Sequence, residues 1–254
     1  MIAQQLGQRH LPLPGAYNIR DIGGYPTGDG RATRWRTFLR ADALHRLPPA
    51  SQQALIDYGV RTIIDLRSEQ ECGQAPNVFV SAQRVRYLHV PLFDGGAPLA
   101  DRLAPPNVAD IYRQILEWRQ SAVKAVFDAL TDNTFPVLVH CTAGKDRTGL
   151  IAALMLGLAG VDDATIAEDY ALTTHYAAGL FDELRARAVA AGRDMATFEH
   201  FLEANPESML SVLAYVHETY GGVAGYLKHI GITKMQIHYL RQIINEAGSI
   251  DKQN

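Results

Sequence analysis

Apolar positions in the first 160 residues recur at two different spacings. Four short stretches carry them continuously or at every second position, which is the pattern of buried strands: Thr37-Phe38-Leu39, Val60 to Leu66, Val85 to Val90 and Pro136 to His140. Helical spacing fills the intervals. Pro48-Pro49 opens a stretch that runs to Tyr58 and stops at Gly59, with proline at the start and glycine at the end. Ile111, Ile115, Trp118, Ala122, Ala125, Val126, Ala129 and Leu130 predict one long amphipathic helix from Val108 to Thr131. The apolar run Leu150 to Val161 reads as a buried helix beginning near Lys145; its 12 residues fall short of the span of a membrane helix, which needs about 20. Beyond Asp162 strand signals vanish, and segments 163–177, 179–191, 194–204, 206–219, 221–230 and 233–246 read as successive helices. Glycine and proline clusters in 11–31 and from Phe93 to Pro106 mark turns and loops. Strands interleaved with helices, followed by helices alone, predict an α/β fold: a central, mostly parallel sheet flanked by helices in 1–160 and a helical region in 161–254, all in one domain.

Composition narrows the function classes. With 47% hydrophobic and 20% charged residues in 254, the chain buries a sizeable core and is not disordered. A formal charge of −3 gives no global basic field for nucleic acid or anionic lipid, so any anion site is local, and neither a nucleic-acid partner nor membrane insertion is expected. Two cysteines make no disulfide scaffold, and no metal-ligand spacing or cofactor motif is present; no metal or cofactor is expected. That cysteine usage fits a reducing compartment, and the first ten residues lack a basic start and an apolar core. The expected location is cytoplasmic, or exported without a conventional signal peptide. Nothing in the sequence fixes an oligomeric state.

The chemistry concentrates in His140-Cys141-Thr142-Ala143-Gly144-Lys145-Asp146-Arg147-Thr148-Gly149, between the last strand and the apolar helix. Five residues separate Cys141 from Arg147, enough for the chain to curl so that the N–H groups of Thr142, Ala143, Gly144, Lys145, Asp146 and Arg147 point into one concavity at a helix N-terminus. Gly144 accepts positive φ cheaply, and Arg147 offers a planar donor pair matched to phosphate oxygens. Such surroundings can lower a thiol from about 8.5 to roughly 3.5–7.5, making Cys141 a thiolate nucleophile. Thr148 is placed to hydrogen-bond the sulfur. His140 reads as a strand-end residue that orients the loop, Lys145 either as a solvated residue or as a contact for a second phosphate, and Cys72, with no cationic loop around it, as a small buried hydrophobe.

This loop resembles the signature of the cysteine-dependent protein-tyrosine-phosphatase superfamily. Asn18-Ile19-Arg20-Asp21-Ile22-Gly23-Gly24, Phe38-Leu39-Arg40-Ala41-Asp42, Ile64-Asp65-Leu66-Arg67, the run Gly144 to Gly149 and the late Tyr220-Gly221-Gly222-Val223 are similar to the bacterial subgroup that includes mycobacterial protein-tyrosine-phosphatase B. The resemblance implies a phosphatase-like fold and a phosphocysteine mechanism. Its expected substrates are phosphotyrosine proteins, with dual-specificity or phosphoinositide activity as extensions; Lys145 is the residue the lipid activity would call on. It also implies that helices after the loop close over the site as a lid.

The leaving group needs a general acid, and the family's Trp-Pro-Asp loop is absent: Trp35 and Trp118 are followed by Arg36 and Arg119. Asp146, an aspartate position the subgroup is thought to use, and Asp94, in a Gly-rich loop, are the two candidates. Asn18, Arg20, Asp21, Asp65 and Arg67 read as hydrogen-bonding braces beneath the loop. The competing readings are a catalytically inactive phosphate-binding module, or a sulfurtransferase or arsenate reductase with the same kind of anion loop.

Overall fold

A computed structural model describes residues 9–93 and 107–245. Its strands are β1 (Arg20–Asp21), β2 (Phe38–Ala41), β3 (Thr62–Asp65), β4 (Arg86–His89) and β5 (Val137–His140). They form one sheet in the order β1-β2-β5-β3-β4, with β1 antiparallel to β2 and every other pairing parallel. The central strands β2, β3 and β5 are buried along their whole length, because parallel sheets are covered on both faces. Alternation decides which core each residue joins. Phe38, Ile64, Val137 and Val139 face the larger core, while Leu39, Ala41, Ile63 and Leu138 face a smaller one that α1 (Pro49–Tyr58) covers with Leu55.

The helices in chain order are α1, α2 (Glu69–Gln74), α3 (Val108–Trp118), α4 (Gln120–Thr131), α5 (Asp146–Ala159), α6 (Asp163–Tyr176), α7 (Ala178–Ala190), α8 (Met195–Leu202), α9 (Pro206–Tyr220), α10 (Val223–His229) and α11 (Lys234–Ile244). Helix α5 is apolar all round because it lies between the sheet and α6, α10 and α11, and nearly every residue from Thr148 to Ala159 is buried. Chain order and sheet order part company at β5, the last strand in sequence but one inserted between β2 and β3. In open α/β sheets ligands bind at the carboxyl ends of strands where the order reverses, and the Cys141 loop leaves β5 there.

Two expectations are corrected. The helix predicted over Val108–Thr131 is two helices: Arg119 leaves helical geometry at φ −115° and ψ 27°, and its Nε donates to the Leu92 carbonyl at 3.2 Å. Tertiary anchoring overrides the periodicity there, and Trp118, counted in the apolar stripe, is 70% exposed at the break. The turn-rich segment 11–31 also contains the two-residue strand β1, and α2 lies where no helix was read. No helix among the described residues is long and apolar enough to cross a membrane.

Candidate active site

Cys141 follows β5 directly and is 2% exposed. The loop then turns at Gly144, where φ is +67° and a Cβ would lie 2.5 Å from the Ala41 carbonyl oxygen, so only glycine fits this close approach to β2. Helix α5 begins at Asp146 without any side-chain cap. Among the described residues, no acceptor engages the backbone N–H groups from Thr142 to Arg147. They remain donors at the positive end of a 14-residue helix, an arrangement that binds anions.

The loop is pinned from below by buried side chains. Asn18 Nδ2 donates to the carbonyls of Ala143 (3.2 Å) and Gly144 (3.4 Å), and Arg40 Nη2 donates to Gly144 O at 2.8 Å. Arg40 Nη1 is 2.5 Å from Asp169 Oδ2, and Asp169 Oδ1 also takes Arg20 Nε at 3.1 Å and the Tyr25 hydroxyl at 2.8 Å. Burial opposes the charge on Asp169, yet the two guanidiniums and these hydrogen bonds hold its carboxyl well below the usual range. Arg20 also donates to Asn18 Oδ1, so two of the expected braces, Asn18 and Arg20, act as one unit. Asp65 takes Arg67 at 2.7 Å and Tyr87 at 3.0 Å, and lies 3.3 Å from His140 Nε2. His140 Nε2 lies 2.8 Å from Asn77 Nδ2, and His140 Nδ1 lies 3.1 Å from the Cys141 carbonyl oxygen. Both ring nitrogens of His140 thus have partners within the protein, one of them the carbonyl that opens the loop.

Three expectations read differently in the structure. Asp21 touches no loop residue; it accepts from Gly23 N, Arg36 N and the Tyr58 hydroxyl and braces the N-terminal segment, and burial pushes its carboxyl up. Lys145 is neither solvated nor free: it is 2% exposed, and Nζ donates to Phe201 O and, at 3.3 Å, to Glu203 O, while lying 3.3 Å from Asp146 Oδ1. The buried Thr148 hydroxyl has no hydrogen-bond partner among the described residues, the sulfur included. Asp94 lies outside the described residues. Cys72 is half-buried, with Sγ 3.7 Å from Asp65 Oδ2.

Arg147 carries a partner that the sequence reading did not include. Its Nη1 and Nη2 donate to Glu71 Oε2 (2.6 Å) and Oε1 (2.7 Å), a two-pronged pair, and Nη2 also reaches Thr142 Oγ1 at 3.2 Å. The Thr142 hydroxyl donates in turn to Glu71. Burial works against ionisation of Glu71, but Arg147, Thr142 and the Ser68 amide outweigh it and hold the carboxyl down at about 2. Glu71 is placed by a capping box with Ser68 at the start of α2. That Ser-x-x-Glu spacing was the signal available in the sequence. On the opposite rim, Ala143 packs against Ala177, Phe181 and Leu202, so α7 and α8 lie over the loop.

A cysteine and an arginine bracketing a loop of unengaged amides at the switch point of a mostly parallel sheet define the class of cysteine-bearing oxyanion-loop proteins. Comparison with known proteins makes this specific. Residues 11–246 match the model of the Tyrosine phosphatase family. A tyrosine-protein phosphatase of Nostoc commune is 34% identical over 222 residues, 83% of this chain and 75% of that protein. The triple specificity protein phosphatase PtpB of Mycobacterium tuberculosis is 28% identical over 276 residues, 91% of this chain and 98% of that protein. The crystal structure of P. aeruginosa TpbA overlaps 77% of this chain and 86% of its own at 20% identity, with a TM-score of 0.35. The chain belongs to the tyrosine phosphatase family and is an enzyme of that class.

Proposed function

We propose that the chain hydrolyses phosphotyrosine monoesters through a phosphocysteine on Cys141. The carrying observation is the loop itself: N–H donors from Thr142 to Arg147 without acceptors among the described residues, next to a cysteine and an arginine at one helix start. A phosphate dianion takes up those donors, and Arg147 and the amides stabilise charge on the equatorial oxygens as the sulfur attacks phosphorus in line with the leaving oxygen. The S–P bond forms as the ester P–O bond breaks, and its electrons leave on the tyrosyl oxygen. Asp146 delivers the proton that oxygen needs; its side chain is 37% exposed at the first position of α5. Water then attacks phosphorus, returns a proton to Asp146 and releases the sulfur. The Thr148 hydroxyl, without another partner among the described residues, is available to the departing thiolate.

The family and its relatives support phosphotyrosine as the substrate. Extension to a phosphoinositide calls for a second cation, and Lys145 is the residue in place; it meets a second phosphate only after leaving the Phe201 and Glu203 carbonyls. The C-terminal end of α8 therefore has to shift before a polyphosphorylated headgroup engages Lys145. The test is turnover of p-nitrophenyl phosphate in chelator, beside Cys141→Ser. The wild-type chain is expected to turn over and Cys141→Ser to be inert while still binding phosphate. Turnover by Cys141→Ser, or none by the wild type, contradicts the reading.

A further inference from the structure

Asp146 is held from a direction the proposed mechanism does not use. The hydroxyl of Tyr112, on α3, donates to Asp146 Oδ1 at 2.7 Å, and the Tyr170 hydroxyl, on α6, lies 2.7 Å from that of Tyr112. One hydroxyl carries one proton, so a Tyr112 that donates to Asp146 accepts from Tyr170, and the chain of donors runs Tyr170 to Tyr112 to Asp146. The rings meet edge to face with centroids 6.1 Å apart, and neither residue exceeds 1% exposure. Burial, and the Asp146 charge next in importance, push both phenols above their ordinary value, which keeps them protonated as donors.

The fold makes room for this pair. Gly149 lies three residues after Asp146 on α5, and a Cβ there would sit 3.0 Å from Tyr170 Cδ2 and 3.2 Å from Arg40 Nη2. Glycine at 149 therefore leaves the Tyr170 ring its close approach to α5. Lys145 Nζ also approaches Oδ1, at 3.3 Å. Among the described residues nothing hydrogen-bonds Oδ2. The two oxygens of one carboxyl thus have different surroundings: Oδ1 faces donors, and Oδ2 does not.

We propose that Tyr112, backed by Tyr170, is a positioning residue for Asp146: it fixes Oδ1 as the accepting oxygen and leaves Oδ2 to carry the proton exchanged with the leaving group. In the first step the Oδ2–H bond breaks as the leaving oxygen takes the proton and the ester P–O electrons. In the second, Oδ2 takes a proton from the attacking water as the O–P bond forms and the S–P bond breaks. Tyr112 and Tyr170 exchange no proton in either step. The proposal rests on the reading of Asp146 as general acid.

The experiment compares Asp146→Asn, Tyr112→Phe, Tyr170→Phe and the double phenylalanine variant on two substrates. Phenyl phosphate has a poor leaving group that needs a proton, and p-nitrophenyl phosphate has a good one that scarcely does. Tyr112→Phe is expected to lower kcat on phenyl phosphate about tenfold, with KM unchanged and less than a threefold loss on p-nitrophenyl phosphate. Tyr170→Phe should show the same selectivity more weakly. The double variant, which leaves no buried phenol unpaired, keeps the result readable if Tyr112→Phe alone folds poorly, and should match Tyr112→Phe. If Asp146→Asn is selective against the poor leaving group while the Tyr112 variants lose both substrates equally, or neither, the positioning role is overturned and the general acid stands. If Asp146→Asn is itself unselective, the general-acid reading falls and the positioning role falls with it.

Discussion

On the β1–β2 side of the phosphate loop, Asp169 holds Arg20 and Arg40 with side chains no more than 1% exposed. On the α2 side, Glu71 holds Arg147 with side chains 32% and 15% exposed. Both are carboxylate–guanidinium contacts between segments distant in the chain, yet they suit opposite tasks. Around Asp169 every strong donor is supplied by the protein, from two arginines and Tyr25, so the contact cannot change partners and fixes where the Gly144 carbonyl lies. Around Arg147 one partner is a half-buried carboxylate in the first turn of a short helix, on the arginine that phosphate must also use. Charge pairs buried in low dielectric are costly to form and costlier to break by halves; pairs in contact with water are weak and exchangeable.

The contrast yields an ordered set of expectations. Asp169→Ala leaves two buried guanidiniums uncompensated and should cost roughly 3–5 kcal/mol in urea unfolding. A loss under about 1 kcal/mol would make the two arginine sites alike. Next, Glu71→Gln removes the carboxylate that competes with phosphate for Arg147, so inhibition by inorganic phosphate should tighten about threefold to tenfold, while stability falls by no more than about 1 kcal/mol. Weaker phosphate inhibition in that variant would mean that Glu71 serves to present the arginine rather than to compete.

Acid titration separates the two carboxylates further. Both are depressed in the folded chain, so each contributes stability that is present above its unfolded pKa of about 4 and lost as pH falls through its folded value. For Glu71 that window closes at about 2. Unfolding of Glu71→Gln measured between about pH 4.3 and 2 should therefore be less pH-dependent than that of the wild type, whereas the Asp169 contribution persists to the acid end. An identical slope in wild type and variant would contradict the assignment. The smallest global effect is expected from Lys145→Met, which keeps the apolar stem but removes the ammonium that donates to the Phe201 and Glu203 carbonyls. Amide exchange in Met195–Leu202 should quicken about tenfold while the core strands keep their protection. Unchanged exchange would show that α8 is held by its apolar contacts alone.

How much of this was legible in the sequence follows from the range of each interaction. The β5–loop–α5 unit is local: its strand run, Gly144 and the apolar helix lie within 25 consecutive residues, and pattern alone located it. Four of the five strands and most C-terminal helices were equally readable because each declares its own periodicity, whereas the two-residue β1 is too short to show one. Asp169 was not, since an acidic residue in the middle of α6 looks like a solvated position until β1 and β2 bring Arg20 and Arg40 against it. Glu71 escaped for a related reason: its capping box is local, but its pairing with Arg147 spans 76 positions. Lys145 misled because an isolated lysine at a helix start is ordinarily solvated, and it takes the distant C-terminal end of α8 to bring the Phe201 and Glu203 carbonyls to it.

The central claim is that the Cys141 sulfur becomes bonded to phosphorus during turnover. It is tested most directly by quenching the enzyme with denaturant during steady-state hydrolysis of an aryl phosphate and weighing the peptide that contains residue 141. One phosphoryl group is expected on that peptide in the wild-type chain, more of it when phosphocysteine hydrolysis is slowed by Asp146→Asn, and none in Cys141→Ser. Full turnover with an unmodified Cys141 peptide at every quench time would contradict it.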